Sequence, residues 1–258
     1  MLNYMKSEWY RITHSVTIYV FTGIMAVLTL FANIVLFFMN KYDAGFPYGT
    51  LAFSLSNLVA NMSLLFFVGV IIVSLLLSGE KKNGTLKNSI AFGISREEIF
   101  VGKCMVSAAI SFCSLIVILA VYMVSAALLL EPGVESGAIS ITLKGIACML
   151  IMAVASEILI IALASFFEKE IIALVVWYLI MVILPQICSI IGLKSEIFQR
   201  IAAWMPYNYL RSEVNVNMSG WSCLWETSGG VAKCLISGMI GLLVFLLLGL
   251  GICKKQEV

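Results

Sequence analysis

Charge is what this sequence has least of. Sixteen basic and 14 acidic residues make up 12% of its 258 residues, against 62% apolar. A water-soluble domain carries about 25% charged residues. At half that density too little polar surface exists to cover a globule, so a soluble enzyme is excluded. Histidine is nearly absent too: His14 stands alone near the N-terminus. That removes metalloproteases and Ser–His proteases, which need imidazoles beside the scissile bond. Seven cysteines form no CxxC or other close pair, and most lie inside apolar runs, where a thiol packs as a small hydrophobe. No glycine-rich loop leads into Lys-Ser or Lys-Thr, so the chain has no phosphate cradle of its own. A net charge of +2 is too small a bias to recruit nucleic acid.

What is present is hydrophobic length. Six runs of 22 to 27 residues reach the roughly 20 needed to cross a bilayer: Val16–Met39, Asn57–Ser78, Cys104–Leu130, Leu143–Phe167, Ile171–Gly192 and Ala232–Cys253. They predict an all-α polytopic bundle forming one transmembrane domain over residues 1–258. The first run is too long for a signal-peptide core and lacks a cleavage site, so no removable leader is expected. Six crossings put both termini on one side. Ten of the 16 basic residues, including Lys6, Arg11, Lys81, Lys82, Lys87, Arg96 and Lys103, then share that side, in shorter segments than the other six. The positive-inside rule makes it cytoplasmic, in a cell membrane.

Four segments outside the runs carry information. In residues 1–14, Leu2, Met5, Trp9 and Ile12 confine themselves to an arc of about 80° on a helix, predicting an interfacial helix at the headgroups. In the loop 79–103, Thr85 is placed to cap a short helix carrying Leu86 and Ile90, and Gly93 to stop it. Ser95, with Glu98 three residues on, starts a second helix with no breaker before about Leu130. Such a helix is longer than the bilayer is thick and must stand out into water. Glu168–Glu170 is a turn tight enough to make its flanking spans antiparallel neighbours. The outer segment 193–231 offers a helix from Ser195 with Ile197, Ile201 and Trp204 on one face. Tyr207, Tyr209, Trp221 and Trp225 follow, and the whole segment is expected to lie on the membrane surface.

Within the spans, Glu157 is the one deep ionisable residue. Inserting it costs about 3 kcal/mol, which the aliphatic and Phe residues of its span offset with about 4–7 kcal/mol. A buried carboxyl is either part of a substrate or proton path, or a protonated group bonding another helix. Pro185–Gln186 breaks the outer third of the fifth span, and Gln186 is a second pathway candidate. Ser237, Gly241, Gly249 and Gly251 offer close-packing faces in the sixth.

The loop after the second span gives the most specific signal. Glu80, then Gly84-Thr85-Leu86-Lys87, then Ile94-Ser95-Arg96 and Lys103 resembles the signature of ABC type-2 exporter permeases. The resemblance covers about 25 residues in motif and the whole chain in architecture. It implies that residues 85–92 are a coupling helix seated in a separate ATP-binding subunit, with Glu80, Gly84, Thr85, Leu86, Lys87, Ile90, Ser95, Arg96 and Lys103 around it. It implies two such subunits, ATP and Mg²⁺ bound there rather than on this chain, and a second permease copy or homologue beside the second and fifth spans. The small loops look most like lantibiotic-immunity, bacitracin-resistance and amphipathic-peptide exporters. Two other readings stay open: a proton-coupled transporter using Glu157, and a non-transporting membrane scaffold or enzyme.

Overall fold

The computed structural model describes residues 2–43, 45–83, 91, 93–132, 137–167, 169–217 and 220–255, and of 79–83 and 217 the backbone alone. Eleven long or short α-helices dominate these residues. They are α1 (Leu2–Thr13), α2 (Val16–Tyr42), α3 (Leu51–Ala60), α4 (Leu64–Asn83), α5 (Arg96–Leu129) and α6 (Ala138–Phe166). Then come α7 (Glu170–Tyr178), α8 (Leu184–Gly192), α9 (Glu196–Trp204), α10 (Pro206–Ser212) and α11 (Ser228–Lys255). Among the described residues five helices are long and apolar enough to cross a membrane, counting Glu170–Gly192 as one, and the bent pair α3–α4, taken as one span, makes a sixth.

The second span is therefore not the straight Asn57–Ser78 helix that the run of apolar residues predicts. It starts at Leu51, where Thr50 Oγ1 accepts from Phe53 N at 3.2 Å, and it bends by 67° after Ala60. The cause is local. Asn61 caps α3, sharing its N–H between the carbonyls of Asn57 and Leu58, and its side chain donates to Asn57 O at 2.9 Å. An amide bonding the backbone competes with the next helical turn and ends it.

The fifth span also departs from expectation. Pro185 sits in the first turn of α8, and the irregularity lies just before it, in a π-helical turn over Leu179–Ile183. Proline has no N–H to give to the carbonyl one turn back, and the wider turn redistributes those bonds.

Helix α6 is the hub. Of its most apolar stretch 72% is buried, against 6% for α2. It packs along α11 and α4, and touches α5 and α7. Helix α2 lies on the outside against α5 and exposes Ile24, Val27, Leu28 and Phe31 to the surrounding lipid. Both termini gather at one end of the bundle. Tyr4 of α1 lies over Gly102 near the start of α5, and Lys254 at the end of α11 reaches Glu97 at 3.5 Å. At the opposite end, the connections after α2 and α5 are tied together, with Leu51 N donating to Glu131 O at 2.8 Å.

Two further corrections concern the segments outside the spans. The apolar stripe of α1 does not all face lipid. Leu2 and Trp9 are exposed, but Ile12 is buried, and the face turned to α5 is Tyr4, Glu8 and Ile12. Glu8 is neutralised by Arg11 at 2.6 Å, which lets a charged position of the helix face inward. The segment after α8 contains α9 with Ile197, Ile201 and Trp204 exposed, but its remaining aromatics do not all lie on a surface. Tyr209 and Trp225 are among the most deeply buried side chains in the protein. Trp225 Nε1 donates to Ile141 O at 2.9 Å, and Tyr209 OH bonds Ser237 Oγ at 3.0 Å, each satisfying its polar atom inside the fold. A two-stranded hairpin, β1 (Asn215–Asn217) with β2 (Gly220–Ser222), connects them.

Close packing at the termini end gives a direct test. A Cβ on Gly249 of α11 would collide with the ring of Phe100 in α5. Gly249→Val is expected to lower the unfolding temperature of the purified protein, and Phe100→Ala in the same chain to recover part of the loss. The double-mutant cycle should couple the two by about 0.5–3 kcal/mol.

Candidate functional site

Three places could serve a function: the termini end of α5, the interior carboxyl and the face formed by the two irregular spans. Helix α5 is preceded by Gly93 at φ 80°, a left-handed conformation that glycine adopts without strain. Ser95 follows as N-cap, its Oγ accepting from Glu98 N at 3.2 Å, and Glu97 and Glu98 fill the positive first turn. The helix then runs 34 residues without a break. At 1.5 Å per residue that is about 50 Å, against about 30 Å of hydrocarbon. Half of that surplus corresponds to about two turns, and in the first two turns of α5 Arg96 and Lys103 lie half-buried and Ile99 and Phe100 are buried. Helix α4 enters the same end, its last turn carrying Glu80 and reaching Asn83. Ser95, Arg96 and Lys103 thus share the first turns of one helix, and Glu80 sits on the helix packed beside it. Gly84, Thr85, Leu86, Lys87 and Ile90 lie outside the described residues, as does Phe92, and the side chain of Glu80 with them.

Glu157 occupies the middle of α6 and is 3% exposed. Ser111 Oγ of α5 donates to its Oε1 at 2.5 Å, and Gly69 of α4 leaves the space in which that oxygen sits. Its Oε2 is buried with no hydrogen-bond partner among the described residues. The carboxyl therefore sits where three helices meet, an arrangement suited to a helix-to-helix bond. One position along, Ser156 Oγ accepts from Trp177 Nε1 of α7 at 3.1 Å.

The irregular spans lie together. Phe67 of α4 meets Trp177 edge-on at 5.2 Å and Tyr178 at 6.4 Å. Above this contact the α3–α4 bend exposes Asn57 and Asn61, and α8 carries Gln186 half-buried and Ser189 exposed. Polar groups and broken helices at membrane depth are tolerated where they meet protein or water rather than lipid. Gln186 also lines a cleft of about 640 Å³ between α8, α9 and α10. Among the described residues, no group of three or more His, Cys, Asp or Glu side chains converges to hold a metal. Burial, with the Glu226 carboxylate adding to it, pushes the Cys223 thiol up to about 12. The thiol stays protonated near neutral pH and acts as packing.

Sequence reasoning passed over one polar cluster. Asn33 of α2 is fully buried, its Nδ2 donating to Tyr122 O at 3.0 Å and to Ser125 Oγ at 2.8 Å. Ser54 of α3 donates to Asn33 Oδ1 at 2.7 Å, and Tyr122 OH donates to Ser54 O at 2.5 Å. The cluster fastens α2 and α5 to the first turn of α3, ahead of the bend. A lone amide inside an apolar run was the available signal, since such residues bond across helices in lipid.

A family model described as ABC-2 family transporter protein matches residues 4–188, from α1 into α8. The chain belongs to that family. Its members are membrane permease subunits of ABC transporters rather than the ATPase, and they work with an ATP-binding subunit. No curated protein matches the chain. The family match encloses every residue of the capped α5 start and the interior carboxyl, while the cleft extends past its limit.

The interior site yields a measurable contrast. Glu157→Gln keeps an oxygen to accept from Ser111, so folding and ATP-linked transport should change little. Glu157→Leu strands the Ser111 hydroxyl, with a stability loss of about 1–3 kcal/mol read as a lower unfolding temperature. A proton-coupled mechanism predicts instead that Glu157→Gln abolishes transport.

Proposed function

We propose that the chain is the permease half of an ATP-driven exporter that moves an amphipathic or hydrophobic substrate, a peptide, out of the cell. Two ATP-binding subunits carry ATP and Mg²⁺ and supply the energy, and a second permease copy or homologue completes the route. Both termini are cytoplasmic in this reading, consistent with the clustering of basic residues at the end where Tyr4, Gly102, Glu97 and Lys254 meet. The observation that supports it best is the uninterrupted α5, capped at Ser95 and longer than a bilayer.

A helix is stiff along its axis, so a displacement applied at Ser95 arrives at the far end of α5 with little loss. On the way it passes Ser111, bonded to Glu157 of the buried α6, and Tyr122 and Ser125, bonded to Asn33. ATP binding would draw the two partner ATPases together, and residues 85–92, seated in them, would pull on α4 and α5. The bent α3–α4 and the π-turn of the fifth span would then change their angle and open the face that carries Asn57, Asn61 and Gln186. The near-complete burial of Glu157 in a tight helix contact speaks for a packing role over a proton path.

The test replaces Leu86 and Ile90 by Asp in a chain co-expressed with its ATP-binding subunit. Seating two carboxylates in an apolar groove should cut copurification about tenfold or more and end ATP-dependent export. Unchanged copurification and export would reject the assignment of residues 85–92.

A further inference from the structure

At the end opposite the termini, α8, α9 and α10 enclose a cleft of about 640 Å³, within the usual range for small-molecule sites. Its walls combine Gln186 and Ser189 of α8, Gln199 of α9, and Asn208, Arg211 and Ser212 of α10. No carboxylate lines it, and Arg211 forms no ion pair among the described residues. The nearby acid Glu213 is already held by Lys233. Asn208 is fixed in place because its Nδ2 donates to Pro185 O at 2.8 Å and to Ala202 O at 3.0 Å, which leaves its Oδ1 free of those bonds. The packing of Gly192 against the Gln199 backbone sets the width of the floor.

The surroundings indicate what the cleft meets. Ile190 and Leu193 on α8, and Ile197, Phe198, Ile201 and Trp204 on α9, are all exposed beside it. An apolar rim with a tryptophan, around a largely apolar cleft that carries amides, hydroxyls and one cation, is the profile of the membrane–water boundary. Arginine there offers a planar fork that matches a phosphate, and amides and hydroxyls supply further donors. We infer that this cleft binds the phosphate headgroup of an anionic phospholipid, with Arg211 on the phosphate and the acyl chains running down the exposed faces of α8 and α9. The inference does not depend on the transport reading, since the pocket and its rim are present whatever the chain moves.

Native mass spectrometry of the full chain in maltoside detergent, titrated with dioleoyl phosphatidylglycerol, provides the test. One saturable lipid per chain is expected, at least about tenfold tighter than dioleoyl phosphatidylcholine. R211Q should weaken it about tenfold or more, the scale of a lost charge-assisted hydrogen bond, while R200Q on the exposed side of α9 should not. R211K, which keeps a point charge without the fork, should fall between. If R211Q does not fold, Gln199→Ala and R211K carry the test, each with a measured drop. Equal binding by wild type and R211Q, or equal loss in R200Q, would overturn the inference. So would displacement of the lipid by inorganic phosphate or by a peptide with a free C-terminal carboxylate at equal concentration, each identifying a different ligand.

Discussion

Helices in lipid gain nothing from hiding apolar surface, because the solvent is as apolar as they are. What holds this molecule together is therefore close packing around α6, the one span shielded on nearly all sides. Small residues make it possible: Ala153, Ala155, Ser156, Ala162 and Ala164 of α6 are all buried, as are Gly230, Ser237 and Gly238 on α11. They let backbones approach until dispersion contacts become dense. Every other span is arranged by how it meets this helix, or by how it meets α5, the rod that passes beside it.

Polar bonds then fix angles within the packed set. Glu157 with Ser111 sets α6 against α5, and Ser156 with Trp177 sets it against α7. Asn33, Ser54, Tyr122 and Ser125 set α2, α3 and α5 where the second span begins. At the same end of the bundle Tyr209, Trp225 and the Lys233–Glu213 pair hold the long connection onto α6 and α11. The two spans with interrupted backbones stand next to each other, and the continuous ones flank them. A bundle built in this way joins uninterrupted helices to interrupted ones, the division of labour that the proposed transport by an external motor would use.

Much of this was legible from the residues. Long apolar runs report spans directly, since a bilayer demands both length and uniformity. The extent of α5 was legible because Ser95 and Glu98 mark a helix start and nothing afterwards marks a stop before Leu130. The bend at Asn61 was less legible: hydropathy averages over a window, and two amides and a few serines do not break the average. Tyr209 and Trp225 were misplaced because an aromatic ring at the water boundary and one in a core have the same composition; only their partners, Ser237 and Ile141, distinguish them. For Glu157 the depth was plain but Ser111, on another helix, was not, because no spacing rule connects residues that far apart. The hairpin at 215–222 gave too short an alternation to register. Of the residues assigned to coupling, Ser95, Arg96 and Lys103 are placed on α5, and Gly84 through Lys87 and Ile90 stay outside the described residues.

The central claim is that α5 transmits motion from a separate ATPase into a chain that has no fuel of its own. It is tested most directly by placing spin labels at Ala91, before the Ser95 cap, and at Leu193, exposed at the end of α8, and measuring their separation by pulsed electron resonance in nanodiscs. The account predicts that ATP shifts the distance distribution when the ATP-binding subunit is bound and leaves it unchanged when that subunit is absent. An ATP-induced shift in the isolated chain, or no shift in the assembled transporter, would contradict it.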